Sequence, residues 1–315
     1  MLYIKRVTIL LAGFLAAIKP VLCQDINPDN IKMTIEYLAS DKLQGRATSS
    51  PGEMLAAEYI ANHFRQYNLE PKGDSAGSYF FHFQCKYNPD KTDTIPEHTT
   101  ERRGVDVAGY IDNGAPYTIV AGAHLDHLGL GYDGNSLDPN PKGKIHPGAD
   151  DNASGVAGVL ELARYFSANR KGQKYNFLFI CFSGEELGLF GSKKYCEKPT
   201  IDLSKADIMI NMDMIGRLND STKRLLVYGV GTAPPLVRII DSIPTVFSIK
   251  KDSAGIGPSD QTSFYLKNIP VLFFFTGEHA DYHKPSDIAS KINYTGEQEV
   301  LEYVISVINS IEKMG

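Results

Sequence analysis

Cysteine is scarce in this chain of 315 residues, four in all, and tryptophan is absent. A leader ending at Cys23 would leave only Cys85, Cys181 and Cys196. Three is an odd number, which excludes a disulfide scaffold. One bridge between Cys85 and Cys196 stays open, although no spacing rule supports it. Cys181 sits inside an apolar run and reads as a small buried side chain. A basic stripe is also missing, and the formal net charge is -5, so no nucleic-acid partner is expected. No stable membrane span is expected either. The N-terminal apolar run, VTILLAGFLAAI, has twelve residues, short of the roughly 18 or more that a spanning helix needs.

That run follows MLYIKR, with its two positive charges, and precedes KPVLCQ. Positive charge followed by a short apolar core is the pattern of a secretory signal peptide. Residues 1–23 are therefore expected to be a signal peptide, and residues 24–315 a single domain exported to the periplasm or the extracellular space. A lipid anchor at Cys23 is the minor alternative, because Leu22 is larger than the residue that usually precedes a lipidated cysteine.

Beyond the leader the chain has ordinary globular proportions, 43% apolar and 22% charged. Residues 31–70 look helical. Leu55, Tyr59, Ile60, Phe64 and Leu69 recur at helical intervals behind Pro51 and Gly52. Strands are expected at 78–84, 105–111, 117–125, 175–182, 206–212, 224–230 and 269–276. Helices are expected at 153–168, from about 186, near 234–242 and at 296–314. Continuous apolar strands alternating with helices imply a mostly parallel sheet covered on both faces. The fold class is thus α/β, a three-layer α/β/α sandwich with a mostly parallel mixed central sheet. YGVGTAPP resembles the start of a dinucleotide fingerprint but has Pro234 where the third glycine belongs, and is set aside.

Ligand sites in such sheets lie beyond the carboxyl ends of the strands. Here those ends carry His124, Asp126 and His127, then Glu185 and Glu186, then Asp213, then EHADYHKPSD. A long Gly- and Pro-rich loop delivers Asp150 and Asp151 to the start of the helix at 153. All are metal-ligand types, and no cysteine is among them, which rules out a structural Cys-rich zinc site. Two imidazoles and three carboxylates suit Zn²⁺ first, with Co²⁺ or Mn²⁺ admissible. Five ligands are too many for one catalytic zinc and suit two ions sharing a carboxylate.

The motifs AHLDHLG (123–129), GADDNASG (148–155), FSGEELG (182–188), NMDMIGR (211–217) and DYHKPSD (281–287) stand in one order. With LQGRATSSPGEMLAAEYIANHF upstream, the chain resembles the zinc aminopeptidases of family M28 over essentially its whole length after the leader, with a fold of the zinc-peptidase type. The resemblance implies that His124 and Asp213 hold one zinc, Glu186 and His283 the other, and that Asp151 bridges them. It implies that Asp126 orients His124, that Glu185 is the general base, and that the peptide between Asp150 and Asp151 is cis. The implied reaction is hydrolysis of an N-terminal peptide bond by metal-activated water, on peptides with a free N-terminus.

His127, His146 and His279 are expected to surround the ligands rather than join them. Arg217 reads as structural as readily as substrate-binding. Gln261 stands where many relatives have histidine, which leaves its pocket chemistry open. The loops at 86–103 and 128–147 are expected to shape the substrate pocket. Rival readings are a glutaminyl cyclase-like activity, against which the absence of tryptophan argues, a carboxypeptidase-like activity, or a non-catalytic binding descendant.

Overall fold

A computed structural model describes residues 25–90 and 99–314. The expected signal peptide, the Cys23 alternative and part of the 86–103 loop lie outside the described residues. The chain opens with helix α1, Pro28–Leu38, capped by the Asn27 side chain on the Asp29 amide. Helix α2, Pro51–Gln66, is capped by Ser50, which accepts from Glu53 N, while Glu53 Oε2 accepts from Ser49 N in return. This reciprocal pairing satisfies two amides that the first helical turn would leave unbonded. The helical stretch read across 31–70 is in fact two helices. A short 3-10 turn at Asp41–Leu43 and left-handed residues at Gln44, Gly45, Arg46 and Ser49 separate them. The break turns Arg46 inward, where it is fully buried.

Nine strands form one sheet among the described residues. They are β1 (Glu70–Pro71), β2 (Phe80–Tyr87), β3 (Thr100–Ile111), β4 (Thr118–His124), β5 (Asn176–Phe182), β6 (Ala206–Met212), β7 (Arg224–Tyr228), β8 (Ser248–Lys251) and β9 (Val271–Phe275). The order is β1-β3-β5-β4-β6-β9-β7-β8, with β2 paired to β3. The centre, β5-β4-β6-β9, is parallel, whereas β1, β2 and β5 meet β3, and β9 meets β7, in antiparallel fashion. The mixed sheet read from the sequence is therefore parallel where the candidate ligands gather, with antiparallel pairs on either side of that centre and a parallel β7–β8 pair at one edge.

The central strands bury both faces, so their residues divide between two cores by the two-residue period of a strand. Ile119, Ala121 and Ala123 of β4, with Phe177, Phe179 and Cys181 of β5, pack on one side. There they meet α1, α2, α3 (Gly155–Ala168), α5 (Leu236–Ser242) and α7 (Tyr294–Glu312). Val120, Leu178, Ile180 and Phe182 point the other way, towards Tyr195 and Cys196 of α4 (Phe190–Glu197) and Phe264 of α6 (Gln261–Tyr265). Three layers result. Cys85, Cys181 and Cys196 are all buried and free, so the Cys85–Cys196 bridge is not formed.

Candidate metal centre

Strands β4, β5, β6 and β9 are parallel, so their carboxyl ends open on one edge. His124 is the last residue of β4 and is buried. Asp213 follows β6 directly. After β5 the chain turns at Gly184, whose φ of 68° admits glycine without strain. That turn brings both Glu185 and Glu186 to the wall of one cleft, although neighbours in a continuous strand would face opposite ways. Asp151 comes from a wide helical turn, Ala149–Ser154, that leads into α3. The cis peptide lies between Asp151 and Asn152, one bond later than the resemblance implies. His283 arrives from the loop after β9, and its ring Nδ1 hydrogen-bonds to Asn135 O at 2.8 Å.

The two oxygens of Asp151 face two separate sets of donors. Asp151 Oδ1 is 3.2 Å from His124 Nε2, which is itself 3.4 Å from Asp213 Oδ1. Asp151 Oδ2 is 3.2 Å from His283 Nε2, which is 3.1 Å from Glu186 Oε2. Around a tetrahedral zinc with bonds of about 2.0–2.1 Å, neighbouring donor atoms are roughly 3.3 Å apart. The four observed spacings are of that size, and His124, Asp151 and Glu186 each offer a ligand atom within 4.8 Å of the others. Asp151 Oδ2 and Asp213 Oδ1 are also buried without any hydrogen bond, a costly condition for a carboxylate unless a cation compensates it.

The electrostatics of the donor set say the same. Burial works against a charged His283 ring, yet Glu186 and Asp151 outweigh it and lift its pKa to about 11. His124 is raised as well, chiefly by Asp213 and Glu185 against its burial. The carboxylates demand positive charge, and protons on the imidazoles are what the protein alone can offer. For Glu185, burial pushes the carboxyl well above the usual carboxylate range; Glu186 and Asp213 add to that, and His124 opposes it.

Around this cluster stands a set of fully buried supports. Asp126 meets the His124 ring through its main chain rather than its carboxylate. His124 Nδ1 is bonded to the main-chain oxygen of Asp126 at 3.1 Å, and the carboxylate lies 3.7 Å away. That carboxylate accepts instead from Glu185 N, at 3.2 Å, and from Thr48 Oγ1, at 2.8 Å. Asp126 therefore anchors the backbone of Glu185. His127 stands beside the candidate ligands rather than on the surface, its Nδ1 lying 2.7 Å from Glu186 Oε1. His279 meets Asp150 Oδ2 at 3.1 Å, and His146 bonds Ser136 and Lys144, clear of the donors. Arg217 pairs with Asp281. Gln261 is buried against Asn211 and lines no part of the cleft.

Two supports escaped the sequence reading. Asp287, within DYHKPSD, accepts from the amides of Asp150 and Asp151 at 2.9 and 3.1 Å. Arg46, within LQGRATSS, gives its guanidinium hydrogens to the carbonyls of Leu38, Leu125, Pro147, Gly148 and Asp151. Its complete burial lowers its pKa to about 10, which still leaves it charged at neutrality. Beneath the Gly184 turn, Asp106 Oδ1 accepts from Ser183 N at 2.8 Å and Glu53 accepts from Ser183 Oγ. Burial pushes the Glu53 carboxyl up to about 7.

Arg46→Ala should destabilise the fold strongly. It removes the guanidinium partner of five carbonyls, of which Gly148 O keeps Ala153 N, and opens a buried void, so the expected loss is at least about 3–5 kcal/mol, since each unsatisfied buried group costs about 1–3 kcal/mol. A urea unfolding midpoint within error of the parent protein would contradict this. Arg46→Lys should recover only part, because a point charge cannot replace a fork of donors.

The cleft holding the cluster has a volume of about 380 Å³. Its remaining wall is largely apolar, with Leu187, Leu189, Met214, Phe273, Phe275 and Tyr282. The loop at 128–147 adds no side chain to it. Its backbone instead fixes His283, through Asn135 O and through Leu137 N to His283 O at 2.9 Å. Among the described residues of 86–103, Tyr87 reaches the wall.

Comparison with known proteins bears on the family and the fold. A probable leucine aminopeptidase of Arthroderma otae (strain ATCC MYA-4605 / CBS 113480) is 25% identical over 233 residues, covering 69% of this chain and 59% of the relative. The chain thus spans somewhat over half the length of such relatives. Among solved structures, a Zn-dependent exopeptidase from Parabacteroides distasonis ATCC 8503 superposes with a TM-score of 0.69 at 17% identity, covering 91% of this chain and 99% of that one. A Bacteroides thetaiotaomicron glutaminyl cyclase bound to N-acetylhistamine superposes with a TM-score of 0.70 at 16% identity, covering 91% and 98%. Both share the fold. Residues 106–308 match the sequence profile of peptidase family M28, and this match, covering more than half of the chain, establishes that the protein belongs to that family.

Proposed function

We propose that this chain is an exported zinc-dependent aminopeptidase that holds two ions and hydrolyses the first peptide bond of substrates with a free N-terminus. The observation that carries the reading is Asp151, whose two oxygens each face one imidazole–carboxylate pair. His124, Asp213 and Asp151 would hold one zinc, and His283, Glu186 and Asp151 the other. When bound, such ions supply Lewis acidity, lowering the pKa of water from 15.7 to about 7. Glu185 lines the cleft without facing either donor set as a ligand. It takes the proton from the attacking water as the new C–O bond forms, and gives it to the amine as the C–N bond breaks. Asp126, through Glu185 N, keeps that carboxylate at the turn. The charged N-terminal leader supports export.

A test is a panel of aminoacyl anilides and their N-acetylated counterparts, assayed after chelation and again after zinc is restored. Hydrolysis of the free-amine substrates alone, lost on chelation and recovered with zinc, is expected. A glutaminyl cyclase reading is favoured by the structural likeness to the Bacteroides enzyme, while the absence of tryptophan weighs against it. Release of ammonia from an N-terminal glutamine peptide, with no anilide cleaved, would select that reading instead.

A further inference from the structure

One carboxylate in the cleft belongs to none of the donor sets. Glu278 follows β9 and lines the same wall as Phe273, Phe275, Met214 and Tyr282. It is exposed at the cleft rim. Among the described residues no hydrogen bond or ion pair is made by its carboxylate, whereas the nearby Asp281 is held by Arg217, Ser286 and Lys291. No lysine or arginine lines the cleft. On the aminopeptidase reading, two divalent cations are balanced by the carboxylates of Asp151, Glu185, Glu186 and Asp213. Glu278 then remains as the uncompensated charge of the wall. In the same cleft the rings of Phe273 and Phe275 stack nearly parallel, with centroids 5.8 Å apart and planes at 13°. An aromatic shelf and a free carboxylate lining one cleft are complementary to a long side chain with an apolar stem and a cationic tip.

We propose that the cleft selects substrates whose first residue is lysine or arginine, with the stem against Phe273 and Phe275 and the charge on Glu278. This inference rests on the aminopeptidase reading. A purely apolar first residue would fill the shelf but leave Glu278 to lose water without a partner, which is unfavourable.

The experiment compares kcat/KM for Arg-, Lys-, Leu- and Glu-p-nitroanilide in the zinc-loaded parent protein, Glu278→Gln and Glu278→Lys. The Arg-to-Leu ratio should fall about tenfold in Glu278→Gln, the worth of one charge-assisted contact at a partly exposed site. It should fall further in Glu278→Lys, which should also raise the Glu-to-Leu ratio. Added salt should compress the parent's Arg-to-Leu ratio and leave that of Glu278→Gln nearly flat. Ratios within about twofold of the parent in both variants would overturn the proposal, even with leucine hydrolysed normally. If none of the anilides is cleaved with zinc present, the aminopeptidase reading falls and this inference falls with it. Because Glu278 is exposed and unpaired, folding should be retained, which circular dichroism of both variants verifies.

Discussion

Glu185→Gln should retain its metal and lose about 10²- to 10⁴-fold in kcat, the range that a positioned general base contributes. The amide keeps the size of the carboxylate but cannot accept a proton at neutral pH. Glu185 N would still bond Asp126, so the turn after β5 keeps its shape. Glu186, the adjacent carboxylate, cannot substitute. Its two oxygens are engaged with His127 and His283. Elemental analysis of the variant should give the parent zinc content, and its KM should change little. A variant with normal zinc and turnover within tenfold of the parent would remove Glu185 from the chemistry. One that lost zinc would instead mark Glu185 as a ligand.

Asp151→Asn should have the larger effect, because one side chain serves both donor sets. Asparagine presents a single oxygen and no negative charge, so at most one of the two sets keeps its acceptor. We expect bound zinc to fall by at least one ion and activity to drop by more than about 10³-fold, the joint failure of positioning and electrostatic support. Stability offers a second reading of the same residue. In the parent protein, chelation should lower the thermal midpoint, since a ligand present at 100 times its Kd contributes about 2.7 kcal/mol. In Asp151→Asn the midpoint should respond weakly to chelator. Full zinc occupancy with near-normal turnover in this variant would dismantle the shared-carboxylate arrangement.

These expectations depend on buried supports of unequal visibility in the sequence. His124, Glu186 and Asp213 were legible because they sit at or just past strand ends, and Asp151 because it precedes a helix, where polar residues interrupt long apolar runs, whereas His283 lies in the loop beyond β9 and stood out through DYHKPSD. AHLDHLG and FSGEELG announce themselves against YTIVAGA and NFLFICF. Arg46 gave no such signal. It lies in a stretch read as part of one helical region, 31–70, and only the break with left-handed residues before α2 drives it beneath the ligand loops. His127 was placed near the site but not on Glu186, because two residues 59 apart meet only through parallel pairing of β4 with β5. Asp126 illustrates the converse. It does meet His124, but through its carbonyl, while its carboxylate turns to Glu185 N and Thr48, since the direction of one side chain depends on backbone angles.

The amino-acid order alone was enough for the layered α/β class and for the edge of the sheet where imidazoles and carboxylates collect, because strand period and strand ends are local properties of the chain. What tertiary structure decided was pairing: which donor faces which oxygen of Asp151, what holds Glu185 and His283, and which carboxylate stays free at the rim. Those outcomes arise from contacts between segments distant in sequence, and the energy of a buried charge is set by whatever surrounds it in space.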